Sequence, residues 1–313
     1  LPSMHLNTTG IRNTAIGNAT LVKNTTGDFN TAVGALALFA NTTAGGNTAV
    51  GGLASQSNTT GGNNTSVGFN ASATNVSGSQ NTAVGTSALA TNTAGNNTGV
   101  GYYSLAANTT GATNTAIGDQ SLPANTSGSS NTAVGQSALD NNTTASNNTA
   151  VGRCALFTNI TGAENTAVGA GALDVNTASF NTAMGVDAGG ANTTGSLNVF
   201  MGNAAGGANT TASSNTAVGH NAFTTNTTGA SNVAVGAEAL KVNTTAGQNT
   251  AFGGRSLFTN TTGACNTAIG NNAMKRNTTG CKGVAVGLFA LCAQTTGISN
   301  VAIGDVAGDA ITT

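Results

Sequence analysis

Residues 131–147 read NTAVGQSALDNNTTASN, and residues 148–164 read NTAVGRCALFTNITGAE. The second stretch restates the first after 17 residues, and the motif recurs along the whole chain. With Asn131 as phase 0, eighteen starts run from Asn13 to Asn300, Gly283 replacing Asn once. The step is 17 residues except from Asn81 to Asn97 and from Asn165 to Asn181, where it is 16. Both deletions fit between phase 14 and the next start, where they would shorten a turn.

Each phase carries a physical constraint. Phase 4 is glycine in every copy: Gly17, Gly34, Gly51, Gly68, Gly85, Gly101, Gly118, Gly135, Gly152, Gly169, Gly185, Gly202, Gly219, Gly236, Gly253, Gly270, Gly287 and Gly304. A turn with positive φ, or a close backbone approach, demands that residue. Phase 1 is always Thr or Val, phase 3 is always bulky and apolar, and phase 8 is Leu, Met or Phe in thirteen copies. Alternation at phases 1–3 and again at 7–8, with β-branching, predicts two short strands per unit. A 17-residue unit of this kind buries too little to fold alone. Stacked units make the coils of an all-β parallel β-solenoid, or β-roll, here a single repeat domain over residues 1–313 with about eighteen coils.

The charges follow the same map. All 17 Asp, Glu, Lys and Arg stand at phases 5, 6, 9, 10, 15 or 16. Burying a charge is costly, so the other phases are expected to be interior or packed turn. Size exchange gives a second expectation. Gly189 and Gly206 replace Leu at phase 8 in the coils where phase 3 is Met184 and Met201. That pairing predicts phases 3 and 8 in the interior, with the small residues of phases 2 and 7 on flat outward faces.

Asparagine occurs in two registers. Phase 0 is in most copies followed by Thr-Ala, which is no sequon, and reads as an inward or backbone-bonded ladder. Phase 11 opens an N-x-S/T sequon at Asn7, Asn24, Asn41, Asn58, Asn75, Asn108, Asn125, Asn142, Asn159, Asn192, Asn209, Asn226, Asn243, Asn260 and Asn277. Two readings stand for these fifteen positions: a row of N-glycans along the N-T-T-G edge, or stacked turn ladders bonding the backbone.

Composition narrows function. The chain has 44 Asn, 55 Thr and 45 Gly, but two His, no Trp and a net charge of −1. His5 and His220 lie many coils apart, and Asp305 and Asp309 read as surface charges. No nucleophile elbow, phosphate-binding loop or metal-ligand spacing is present, so neither enzymatic activity nor a cofactor is expected. Near-neutral charge offers nothing to nucleic acid, and no apolar run suits membrane insertion. The four cysteines form no C-x-x-C pair; Cys265 and Cys281 occupy nearly the same phase of successive coils and are disulfide candidates. Leu1 stands at phase 5 without a capping repeat or signal peptide, which predicts an excerpted or processed chain and head-to-tail association.

Asn232–Gly236 (NVAVG), Gly283–Gly287 (GVAVG) and Asn300–Gly304 (NVAIG) resemble the head repeats of trimeric autotransporter adhesins. The consensus is also similar to repeats of bacterial and phage tail-fibre-like proteins, although the unit here is longer around N-T-T-G. The resemblance implies a left-handed parallel β-roll, often trimeric, displayed outside the cell for attachment. The expected role is a non-enzymatic structural subunit of an extracellular fibre, glycosylated along the N-T-T-G edge and partnered by its own copies. The alternative is an adhesin or tail-fibre rod, at a cell or virion surface, that attaches to a surface or host. Ice binding by Thr at phases 12 and 13 is a weaker reading, because adjacent residues of a flat strand face opposite ways.

Overall fold

The Thr-Ala-Val segment of each repeat forms one three-residue strand in the computed structural model, which describes residues 2–313. β-Branched Thr and Val favour extended backbone at phases 1–3, and the glycine of phase 4 ends it. The chain comprises two units, Leu1–Cys154 and Ala155–Thr313. The first holds β1 (Thr14–Ile16) to β9 (Thr149–Val151), the second β10 (Thr166–Val168) to β18 (Val301–Ile303). Within each unit successive strands pair parallel and in phase, with Thr31 opposite Thr48 and Thr216 opposite Val233. Each unit is therefore an all-β parallel β-solenoid, as the repeat predicts, with one coil per 17 residues.

The second strand expected at phases 7–8 does not form. Phases 5–10 are consecutive turns, with left-handed backbone at phases 6 and 8: Leu36 and Leu38 have φ of 61° and 48°, Glu238 and Leu240 of 59° and 47°. Turn bonds bend this run, as from Ala54 N to Gly51 O at 3.3 Å. It still forms a ladder between coils, with Leu38 N donating to Ala54 O at 3.0 Å and Leu53 N to Ala35 O at 2.9 Å. Because the backbone changes hand from residue to residue, phases 7 and 8 can both point inward. Ala138 and Leu139 are both fully buried.

The interior is lined by phases 2, 7 and 8, not by 3 and 8. Ala133 at phase 2 is fully buried, whereas Ile117 and Met184 at phase 3 are 41% and 42% exposed. Alternation along the strand explains the correction. The phase 0 carboxamide is held inside, so phase 2 shares its side and phases 1 and 3 must face out. Size exchange operates, but through a different partner. Phe200, the phase 2 residue of β12 (Val199–Met201), is fully buried. A Cβ on Gly189 or Gly206 would lie 2.6 or 2.3 Å from its ring, so the ring fills the space that Leu occupies elsewhere. Met184 and Met201 lie outside. Another coil replaces apolar contact with a hydrogen bond, Ser55 Oγ to Ser66 Oγ at 2.8 Å.

Both 16-residue coils lose their residue inside the N-T-T turn, not after phase 14. Asn92 and Asn176 donate to carbonyls two residues ahead, Ala94 and Ala178, at 2.7 and 2.8 Å. In full-length coils the same bond spans three residues, as from Asn108 to Gly111 at 2.8 Å. The missing residue is the solvent-facing phase 13, whose N–H elsewhere donates to the phase 12 carbonyl of the next coil, as from Thr60 N to Val76 O at 3.2 Å.

Candidate functional site

The phase 0 asparagines form the expected ladder. Asn30 N donates to Asn13 Oδ1 at 2.9 Å, and Asn249 N to Asn232 Oδ1 at 3.0 Å. Their own amides donate to the phase 14 carbonyl of the same repeat, Asn30 Nδ2 to Ala44 O at 2.9 Å. The phase 11 row reaches that same carbonyl from the other side. Asn41 Nδ2 donates to Ala44 O at 3.0 Å and to Asn24 Oδ1 at 2.8 Å; Asn243 Nδ2 donates to Ala246 O and to Asn226 Oδ1, both at 2.9 Å. Two carboxamide rows thus converge on one row of carbonyls inside each unit.

This geometry corrects the glycan reading of the N-T-T-G edge. Phase 11 side chains from Asn24 to Asn277 are buried, and Asn7 is half-buried. A carboxamide nitrogen has two hydrogens; in Asn125, Asn209 and Asn260, for example, both are donated within the coil. An N-linked sugar would replace one of them and would find no space. The hydroxyls beside these asparagines are also structural. At phase 12, Thr25 Oγ1 donates to Thr42 O at 3.1 Å and Thr278 Oγ1 to Thr295 O at 3.0 Å. Of the chain's sequons, those at Asn18, Asn63, Asn96 and Asn147 begin on exposed side chains.

The phase 4 glycines are turns as expected, with φ from 126° at Gly135 to 138° at Gly169. A Cβ on Gly34 would lie 2.5 Å from Gly51 O, so adjacent coils approach too closely for any side chain. Cys265 and Cys281 form no disulfide: both are free thiols, Cys265 Sγ donating to Gln248 Oε1 at 3.1 Å and Cys281 Sγ to Thr279 O at 3.3 Å. They occupy phases 16 and 15, so successive coils align them with other residues rather than with each other. Burial pushes the Cys292 thiol up, and the Asp309 carboxylate adds to the rise.

Outward phases 1 and 3 form a continuous face of Thr, Val, Ile, Met and Phe along the strands of each unit. Phe252 is 56% exposed on this face, and most other members are half-buried. No charge occurs at either phase in any copy, although neither is interior. The turn side carries the exposed aromatics Phe69, Tyr102 and Tyr103. It also carries a charge cluster in which Glu238 accepts from Lys241 Nζ at 2.8 Å and Arg255 Nε at 2.7 Å. The Lys241 ammonium and then the Arg255 guanidinium hold the Glu238 carboxyl at about 2, against an ordinary 4.5. Among the described residues, no three His, Cys, Asp or Glu are grouped to hold a metal, and no helix is long and apolar enough to cross a membrane. In comparisons with known proteins, no protein-family model and no curated sequence matches this chain.

Proposed function

We propose that this chain is a non-enzymatic structural subunit of an extracellular fibre, assembled from copies of itself. The observation that carries the reading is the uncharged outward strand face. Burial within the coil accounts for the missing charges at phases 0, 2, 7 and 8, but not at phases 1 and 3, which point away from the interior. A face kept free of charge while half-exposed is suited to covering by another neutral surface, and a second solenoid offers the same coil-by-coil spacing. Lateral contact through this face and end-to-end contact through strand edges are compatible, and three chains around a shared axis would satisfy the adhesin resemblance. Exposure favours Asn18, Asn63, Asn96 and Asn147, outside the N-T-T-G turns, as carriers of any N-glycan on the folded subunit.

Electron microscopy of the purified chain tests the reading. Long continuous fibres support it, and a monodisperse chain at all concentrations would overturn it. A second reading, an attachment rod of adhesin or tail-fibre type, draws on Phe69, Tyr102 and Tyr103, which are 58%, 52% and 43% exposed on the turn side. Discrete short trimers in the same images would favour it.

A further inference from the structure

The turn side of the second unit contains a depression of about 390 Å³. It lies across four consecutive coils because their phase 5 residues change in size. His220 and Asn271 stand at its two ends, while Ala237 and Gly254 between them leave the floor low. The same phase carries Phe69, Tyr102 and Leu288 in other coils, and where the Ala–Gly pair recurs, at Ala35 and Gly52, the Phe69 ring lies 3.5 Å from the Cβ position of Gly52. A Cβ on Gly254 would lie 2.9 Å from Asn271 Nδ2, so glycine is what lets that carboxamide fold over the floor.

Polar groups converge on the gap from the neighbouring phase 6. The Glu238 carboxylate is fixed by Lys241 and Arg255, one bond to each oxygen, which leaves each oxygen a free lone pair facing solvent. Arg255 uses Nε for that bond, and its terminal nitrogens remain as donors. Asn272 donates to Asn271 Oδ1, while its own Oδ1 is buried without a hydrogen-bond partner.

We propose that the depression formed by His220, Ala237, Glu238, Gly254, Arg255 and the Asn271–Asn272 pair binds one neutral sugar residue of a glycan. Hydroxyls both donate and accept, and the site offers both functions side by side: carboxylate and carboxamide acceptors, guanidinium and carboxamide donors. Within the lining the Glu238 charge is matched by Arg255, and Lys241, outside the lining, pairs with the same carboxylate. An anion would meet the carboxylate, a cation the guanidinium, and an apolar ligand would strip water from both without replacing it. The volume falls within the range of roughly 300–1,000 Å³ that small-ligand sites occupy. The site is on the turns, not on the uncharged strand face, so it stands or falls independently of fibre assembly.

Saturation-transfer NMR on the full chain tests it, using the methyl glycosides of glucose, galactose, mannose and N-acetylglucosamine as probes. Transfer to at least one probe is expected, weakened about tenfold by Ala237→Phe, which fills the floor, and also reduced by Asn271→Ala. Phe69 occupies phase 5 of its own coil, so phenylalanine at 237 suits the fold, and an unchanged thermal melt confirms it. Absence of transfer to all four probes, or transfer indifferent to both substitutions, would overturn the proposal. So would binding confined to a sulfated oligosaccharide that is lost in high salt and with Lys275→Ala and Arg276→Ala, since those cations do not line the depression. Fibre formation is scored separately by microscopy, so failure of one reading is distinguishable from failure of the other.

Discussion

At the scale of single residues, the coil depends on rows of carboxamides bonded on every side. Asn125 donates to Asn108 Oδ1 and Gly128 O at 2.8 and 2.9 Å and accepts from Asn142 at 2.9 Å. Aspartate has nearly the same shape but no amide hydrogens, so Asn125→Asp places a carboxylate against two acceptors in a buried site. Burial raises the pKa of that carboxyl above its unfolded value, so the variant tolerates the change below about pH 4 and loses stability as pH rises. Urea unfolding at pH 3.5 and pH 7, referred to wild type at each pH, should show a penalty that grows with pH, on the order of 3 kcal/mol or more at neutrality. Asn125→Ala leaves partners unsatisfied without adding charge and should cost about 2–5 kcal/mol with little dependence on pH. Glu238 has the opposite sign of linkage. Its depressed pKa means the ion pairs stabilise fully above the ordinary glutamate range and lose their effect as pH falls toward 2. In Glu238→Gln that acid-sensitive component should vanish from the melting curve, while neutral-pH stability falls.

At the scale of the coil, the interior admits one large side chain beside two rows of alanine. Phe200 lies between Gly189 and Gly206, where other coils have phase 8 leucine. Phe200→Ala should therefore open a cavity reaching into two coils and cost about 3–5 kcal/mol. Combining it with Gly206→Leu restores the consensus arrangement, and the double variant should recover a kilocalorie or more of that loss. Gly206 has φ of 60°, in the left-handed region that phase 8 leucines adopt, such as Leu139 at 53°. Thermal melts of the two single variants and the double variant form the cycle. An additive double variant would show that ring and leucine do not compete for one space.

At the scale of the molecule, the few charges and the uncharged face are complementary statements. Every Asp, Glu, Lys and Arg lies outside the strands and reaches solvent, and none is buried. The strand face, equally able to reach water, carries none. If that face is an assembly surface, a charge in the middle of it should disrupt assembly without unfolding the coil. Val134→Glu and Val218→Glu, both half-buried at phase 3, should reduce fibre length or abolish fibres while leaving the circular dichroism spectrum unchanged. Sedimentation velocity at matched concentrations checks the prediction, and wild-type assembly in both variants would remove the strand face from consideration.

The 17-residue period determined by itself that the chain is a parallel solenoid, where its charges lie, and that a glycine closes each strand. These follow from chemistry that repeats in every coil and needs no knowledge of which way a side chain points. Direction was what the tertiary structure decided. Phase 7 and phase 8 are neighbours, and only the alternating hand of the turn run turns both Ala138 and Leu139 inward; a strand would have separated them. The same holds for Asn125, whose sequon is identical in sequence whether its amide faces an enzyme or a carbonyl inside the coil. Once the phase 0 carboxamide is fixed inward, period-two geometry assigns phase 2 to the core and phases 1 and 3 to the surface. The depression at Ala237 and Gly254 was equally hidden, because it arises from residues that are neighbours only across successive turns of the chain.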